Sequence, residues 1–213
     1  MENNLEIIMS IKIELRKARP LLYSYKGKEK YEENKWQGYD TLVLITEDKN
    51  REIFLKVVKN IILETMVHHE IVLRFAEISQ SIMENIKAIF SIHPELKVYP
   101  AKKNKIYTPG MIISTISTDD EFDKALNYWG SVDFFQIIAI DKQVVNSVTS
   151  LLEEDVYELS VKALLLILEY CNFVLTDSGD GNEAEIIYPI KNEKMIKDLI
   201  LNACEEGLDI TEK

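Results

Sequence analysis

Residues 60–92 read NIILETMVHHEIVLRFAEISQSIMENIKAIFSI. Apolar side chains recur every three or four positions, through Ile61, Met66 or Val67, Ile71, Phe75, Ile78, Ile82, Ile86 and Ile89. That period lines one face of an α-helix. The spacing predicts one long amphipathic helix from Asn60 to Ile92, stopped ahead of Pro94, whose ring disfavours a helical residue before it.

Upstream, Ile11, Ile13 and Leu15 alternate with Lys12, Glu14 and Arg16, so Ile7–Arg16 is expected to hold a half-buried antiparallel strand. Ala18–Gln37 shows neither period and reads as a long surface loop. Leu42–Thr46 is a second strand, and Asp48-Lys49-Asn50 is expected to close a hairpin into Ile53–Val58, with direct entry into a helix as the alternative. Downstream, Lys97–Pro109 gives a short extended stretch and a basic loop. Met111–Ile116 is a strand, and Ser117, Thr118 or Asp119 caps a helix running to Trp129. Val132–Ile140 is almost wholly apolar, as in a strand covered on both faces. Gln143–Glu153 and Val156–Leu175 read as helices, the second apolar nearly all round and therefore central. After a glycine turn at Gly179 and Gly181 come a strand, Ala184–Tyr188, and an amphipathic helix, Glu193–Glu206, ending at Gly207. The last six residues are expected to fray. These elements add up to an α+β fold with N-terminal antiparallel strands, one long amphipathic helix and a mixed sheet packed by a buried apolar helix; an open α/β sheet is the alternative. Residues 1–213 are read as a single domain, with 1–105 and 106–213 as its only plausible subdivision.

Composition supports a folded chain: 46% hydrophobic and 29% charged residues are globular values. Cys171 and Cys204 make no spaced disulfide framework, which points to a reducing compartment. The N-terminus lacks a basic, apolar leader, and the longest apolar run, Ala163–Leu168, is far short of the roughly 20 residues that span a bilayer. The expectation is a soluble, cytoplasmic protein without membrane contact.

Charge is unevenly divided. Residues 1–110 hold 18 Lys/Arg against 15 Asp/Glu, whereas 111–213 hold 7 against 21, so the net charge of -11 is concentrated in the second half. Its carboxylates cluster as Asp119, Asp120, Glu121 and Asp123; as Glu153, Glu154 and Asp155; and as Asp177, Asp180, Glu183 and Glu185. All three clusters are expected at exposed helix ends or turns. Such a face steers docking to a basic surface, with Tyr128 and Trp129 as aromatic anchors.

Linear catalytic motifs are missing. Glu64 and His68 share a helical face, but partner Glu/His motifs for a metal are absent. Cys171 has no nearby histidine in sequence to activate it. Asp177–Glu183 places glycines where a calcium loop needs oxygens, and its acids would repel a phosphate. Catalytic residues, metal and cofactor are therefore expected to be none. The leading expectation is a non-enzymatic acidic inhibitor, of the immunity-protein or antitoxin type, that occludes a basic site on a toxin or nuclease. One alternative is an enzyme or small-ligand sensor whose site is assembled from residues distant in sequence, for which Asp133, Asp141 and Glu169 are candidate acids or bases. Another is nucleic-acid contact through residues 16–36, where lysines interleave with Tyr23, Tyr25, Tyr31 and Trp36; the chain's overall negative charge opposes it. A homodimer that pairs the oppositely charged halves is one further arrangement.

Overall fold

In this computed structural model the described residues are 12–14, 38–46, 51–77, 79–93, 96–99, 110–132, 134–145, 161–177, 181–204 and 210–211. They build an α+β structure, a broad sheet with helices on both faces. The loop expected at Ala18–Gln37, the basic loop at 101–109, most of the Gln143–Glu153 helix and Gly179 lie outside them.

The stretch 60–92 is not one helix. Helix α1 (Arg51–Met66) buries Phe54, Val57, Val58, Ile61, Ile62 and Thr65 along one side, replacing the hairpin expected into Ile53–Val58. A turn at Val67–His69 leads into strand β3 (Glu70–Glu77), and helix α2 (Gln80–Ile89) follows. In β3 burial no longer follows a helical period: Ile71–Glu77 are all buried. Ile71, Leu73 and Phe75 enter the large core while Val72 enters a second, smaller one. Spacings of four residues fit both the strand period of two and the helix period of 3.6, which is why Ile71 and Phe75 continue the helical frame on paper. Val156–Leu175 divides in the same way. Helix α4 (Val161–Tyr170) gives way to strand β7 (Cys171–Asp177), where Phe173 and Leu175 face one core and Val174 the other.

The remaining strands are β1 (Lys12–Glu14), β2 (Tyr39–Ile45), β4 (Lys97–Tyr99), β5 (Gly110–Thr115), β6 (Phe134–Ile140), β8 (Glu183–Pro189) and β9 (Ile210–Thr211); the remaining helices are α3 (Asp119–Leu126) and α5 (Glu193–Ala203). Strand order is β4-β5-β3-β6-β7-β8-β2-β1-β9. Every pairing is antiparallel except β1 with β9. The expected fraying at the C-terminus is thus replaced at Ile210–Thr211 by a parallel strand on β1. The run β3-α2-β4-β5-α3-β6, folded in the order β4-β5-β3-β6, is a split β-α-β arrangement. Strands from before and after Gly110 interleave, so the one sheet draws on both halves of the chain.

Helices α2, α3, α1 and α5 lie side by side over one face, enclosing the large core. Helix α4 sits on the other, where Ile167 and Leu168 pack with Val72, Ile138, Ile140, Val174 and Ile187. Helix α3 starts as expected: the Thr118 side chain accepts from the Glu121 N–H and Glu121 reaches back to the cap. Among the described residues, no helix is long and apolar enough to cross a membrane.

Phe75 is fully enclosed and Ile92 is 79% exposed. Phe75→Ala should therefore lower unfolding free energy by about 3–5 kcal/mol, and Ile92→Ala should stay within about 0.5 kcal/mol, both read by urea denaturation.

Candidate functional site

The acidic clusters do not form one exposed face. Asp119, Asp120 and Asp123 project outward from α3, and two of them meet lysines: Asp123 with Lys59 at 2.6 Å and Asp120 with Lys124 at 2.5 Å. Glu121 is buried instead, because its carboxylate completes the helix cap. Oε2 accepts from the Ser117 N–H at 2.9 Å and the Thr118 N–H at 3.2 Å, and Oε1 meets His93 Nε2 at 2.9 Å. Burial opposes ionisation of Glu121, but the Ser117 N–H, His93 and the Thr118 N–H together outweigh it and hold the pKa below its ordinary value. Trp129 is fully enclosed against Phe54 and Phe135, so it anchors the core and not a partner; Tyr128 is half-buried beside it.

In the third cluster, Asp177 and Glu185 are buried on opposite faces of the sheet. Asp177, at the end of β7, accepts from the Gly130 N–H at 2.9 Å, while Glu185 faces away from the helix layer. Glu183 is half-buried on β8. Glu153, Glu154, Asp155, Asp180 and Asp133 lie outside the described residues. Asp141 and Glu169 are exposed.

The second face of the sheet carries a different constellation. Across one register Lys97 pairs with Ile113, Ile113 with Arg74, Arg74 with Gln136, Gln136 with Thr176, Thr176 with Glu185, and Glu185 with Val43. Four neighbouring strands thus present Arg74, Gln136, Thr176 and Glu185 side by side. Two residues further along, the row Val72, Ile138, Val174 and Ile187 is apolar and covered by α4. Arg74 and Gln136 are each 3% exposed and Glu185 is 6%. Arg74 Nε donates to the Met111 thioether at 3.0 Å, and the Thr176 hydroxyl donates to the Asp177 carbonyl at 3.2 Å. Gln136 Oε1 is buried and has no hydrogen-bond partner among the described residues. At about 4.8 Å between strands, Arg74 and Glu185 stand roughly 14 Å apart along the backbone.

Loops pack closely at one end of the sheet. The Arg51 guanidinium, at the start of α1, donates to the Trp129 carbonyl, and Gly181 adopts φ +73° close beside Gly130. A β-carbon at Gly181 would lie 3.1 Å from Gly130 Cα. The histidines expected on the long helix fall in the turn after α1, where His69 meets Asn172, and no metal-holding group of three His, Cys, Asp or Glu exists among the described residues. Cys171 opens β7; burial pushes its thiol far above the ordinary range, and it donates to the Ile167 carbonyl. It is not poised as a nucleophile.

Neither Arg74 nor Gln136 was singled out from the sequence. The available signal was a single polar residue inside a strand otherwise apolar on both faces, as in FFQIIAI of β6.

Comparison with known proteins adds no relative. No protein family, curated protein or solved structure matches the chain significantly.

Because the folded pKa of Glu121 lies below its unfolded value of about 4.3, its ionised form contributes stability above that value, lost as pH falls through the folded pKa. Glu121→Gln should destabilise the chain at pH 7 and converge with the parent as the pH falls through the folded pKa, measured by urea melts across the acidic range.

Proposed function

We propose that the chain binds a small polar ligand on the second face of its sheet, at a site assembled from residues distant in sequence. The observation that carries this reading is the in-register row Arg74–Gln136–Thr176–Glu185, in which the Gln136 amide oxygen is buried without a hydrogen-bond partner among the described residues. Leaving such an acceptor unpaired costs about 1–3 kcal/mol, and a ligand N–H or O–H placed on it would recover that loss. Groups that destabilise a fold yet sit in a polar cluster are what binding sites retain.

The test separates a ligand site from a structural one. Gln136→Met should leave the unliganded chain as stable as the parent or slightly more so, and abolish thermal stabilisation by whichever member of a panel of amino acids, nucleotides and sugars raises the parent's Tm. A fall in the variant's Tm of more than a few degrees, or no panel member acting on the parent, contradicts the reading.

A second reading rests on charge. The acidity of residues 111–213 and the outward Asp119, Asp120 and Asp123 support an acidic cytoplasmic inhibitor that occludes a basic site on a toxin or nuclease. Its carboxylates would stand in for substrate phosphates, and electrostatic steering would speed its association. Both cysteines are free thiols, which suits a reducing compartment. On this reading the immobilised chain retains a basic protein from its native lysate at low salt, releases it at high salt, and loses it when Asp119 and Asp120 are changed to Asn. Retention that is indifferent to salt contradicts it.

A further inference from the structure

We infer that the chain holds the primary ammonium group of a small amine at a separate site, on the helix-covered face of the sheet, between Asp40, Tyr188 and Glu193. Register and helix entry bring the three together. Asp40 on β2 is the cross-strand partner of Tyr188 on β8. Alternation along the strands puts both on the side of Leu42, Ile186 and the large core. After Pro189 a single helical turn, Ile190–Asn192, is tied back to the Gly38 carbonyl through the Ile190 N–H and leads into α5, whose first residue is Glu193. Glu193 precedes Ile196 by three positions, so it shares the side of α5 that packs into the same core.

Tyr188 supplies the observation that points to a ligand. Its side chain is fully enclosed, and its hydroxyl is buried with no hydrogen-bond partner among the described residues. Burial, and then the charges of Asp40 and Glu193, push the phenol's pKa up, so it stays protonated near two carboxylates that it does not bond. Each carboxylate keeps an oxygen in reserve. Asp40 Oδ1 accepts from the Thr41 N–H at 2.9 Å, and Glu193 Oε1 pairs with Lys197 at 3.1 Å, which leaves the second oxygen of each to another donor. Asp40 and Glu193 are only half-buried, so solvent reaches the cluster past them, with Tyr188 beneath.

Spacing selects the cation. Oxygens that share a calcium or magnesium ion stand about 3 Å apart, which would bring the phenol within hydrogen-bond reach of a carboxylate. Tyr188 Oη reaches neither. Acceptors around an ammonium, at N–H···O distances of about 2.8 Å, stand about 4.6 Å apart. A primary ammonium also has three N–H groups for three oxygens, one of them the phenol oxygen accepting through its lone pairs. Its one carbon substituent leaves toward solvent. The site therefore reads the head group and not the tail, and a quaternary ammonium, which has no N–H, satisfies none of the three. This cluster shares no residue with the row on the second face, and its test leaves that reading untouched.

The experiment is an NMR titration of the isotope-labelled full chain at constant ionic strength with butylammonium, with butyltrimethylammonium as a control of equal charge, and with calcium and magnesium chloride in separate arms. Butylammonium should bind saturably and shift the amides of Thr41, Ile190 and Glu193, and the control should bind about tenfold or more weakly. Asp40→Asn keeps an oxygen for the Thr41 N–H and removes the charge; Tyr188→Phe removes only the unpartnered hydroxyl. Each should weaken butylammonium about tenfold, and Tyr188→Phe should unfold in urea at or above the parent's midpoint. The absence of a saturable shift, equal binding of the two amines, or tighter binding of either metal ion at these amides overturns the inference from the parent alone. Unchanged affinity in both variants, or a lower urea midpoint for Tyr188→Phe, also overturns it, the latter because the hydroxyl would then serve the fold.

Discussion

The rings of Phe75 and Phe135 lie 4.4 Å apart, centroid to centroid, on register partners of β3 and β6. Trp129 packs on Phe135, Phe54 on Trp129, and Phe90 on Phe75. These five aromatics come from α1, two strands and the residues just past α2 and α3, so one cluster joins the helix layer to the middle of the sheet. Aromatic side chains supply much of a core's burial energy. Displacing either strand by one residue would carry its aromatic out of this core.

The same pairing positions the opposite face. Arg74 precedes Phe75 and pairs with Gln136, which follows Phe135. Because side chains alternate, the pairing that brings the two rings together beneath the helices also sets a guanidinium beside an amide on the far side. Extending the register through Thr176 to Glu185 needs no further device, since β7 and β8 continue the antiparallel ladder. The bulge in β7 falls between the partners of Ala139 and Ile140, beyond this row, and so leaves it intact. Polar side chains thus occupy a rigid platform, which suits recognition by fixed groups.

Some of this was legible in the sequence. The strand at Met111–Ile116, the capped helix after Thr118, the doubly covered strand through Ile140 and the α+β class follow from period, cap chemistry and composition. The long helix did not survive, because Ile71 and Phe75 sit four residues apart and satisfy both periods; the discriminating feature was the unbroken apolar run Ile71–Leu73, which a half-exposed helix face would not need. Val156–Leu175 failed for the same reason at Cys171. The acidic clusters misled in a different way. Glu121 looks like a surface carboxylate of a helix start, yet that position is where a capping box folds the side chain back on its own N–H groups. Asp177 ends β7 and Glu185 lies inside β8, and sequence alone does not say which face of the sheet either one enters. Arg74 and Gln136 are 62 residues apart in the chain, and only the β3–β6 register makes them neighbours.

The account stands or falls on that register. A nuclear Overhauser spectrum of the isotope-labelled chain reads it directly. Cross-strand backbone contacts between Arg74 and Gln136 and between Phe75 and Phe135, with sequential amide–amide contacts interrupted from Glu70 to Glu77, are the predicted result. An unbroken amide–amide series from Asn60 to Ile92 would restore the single helix, dissolve the polar row and contradict the site.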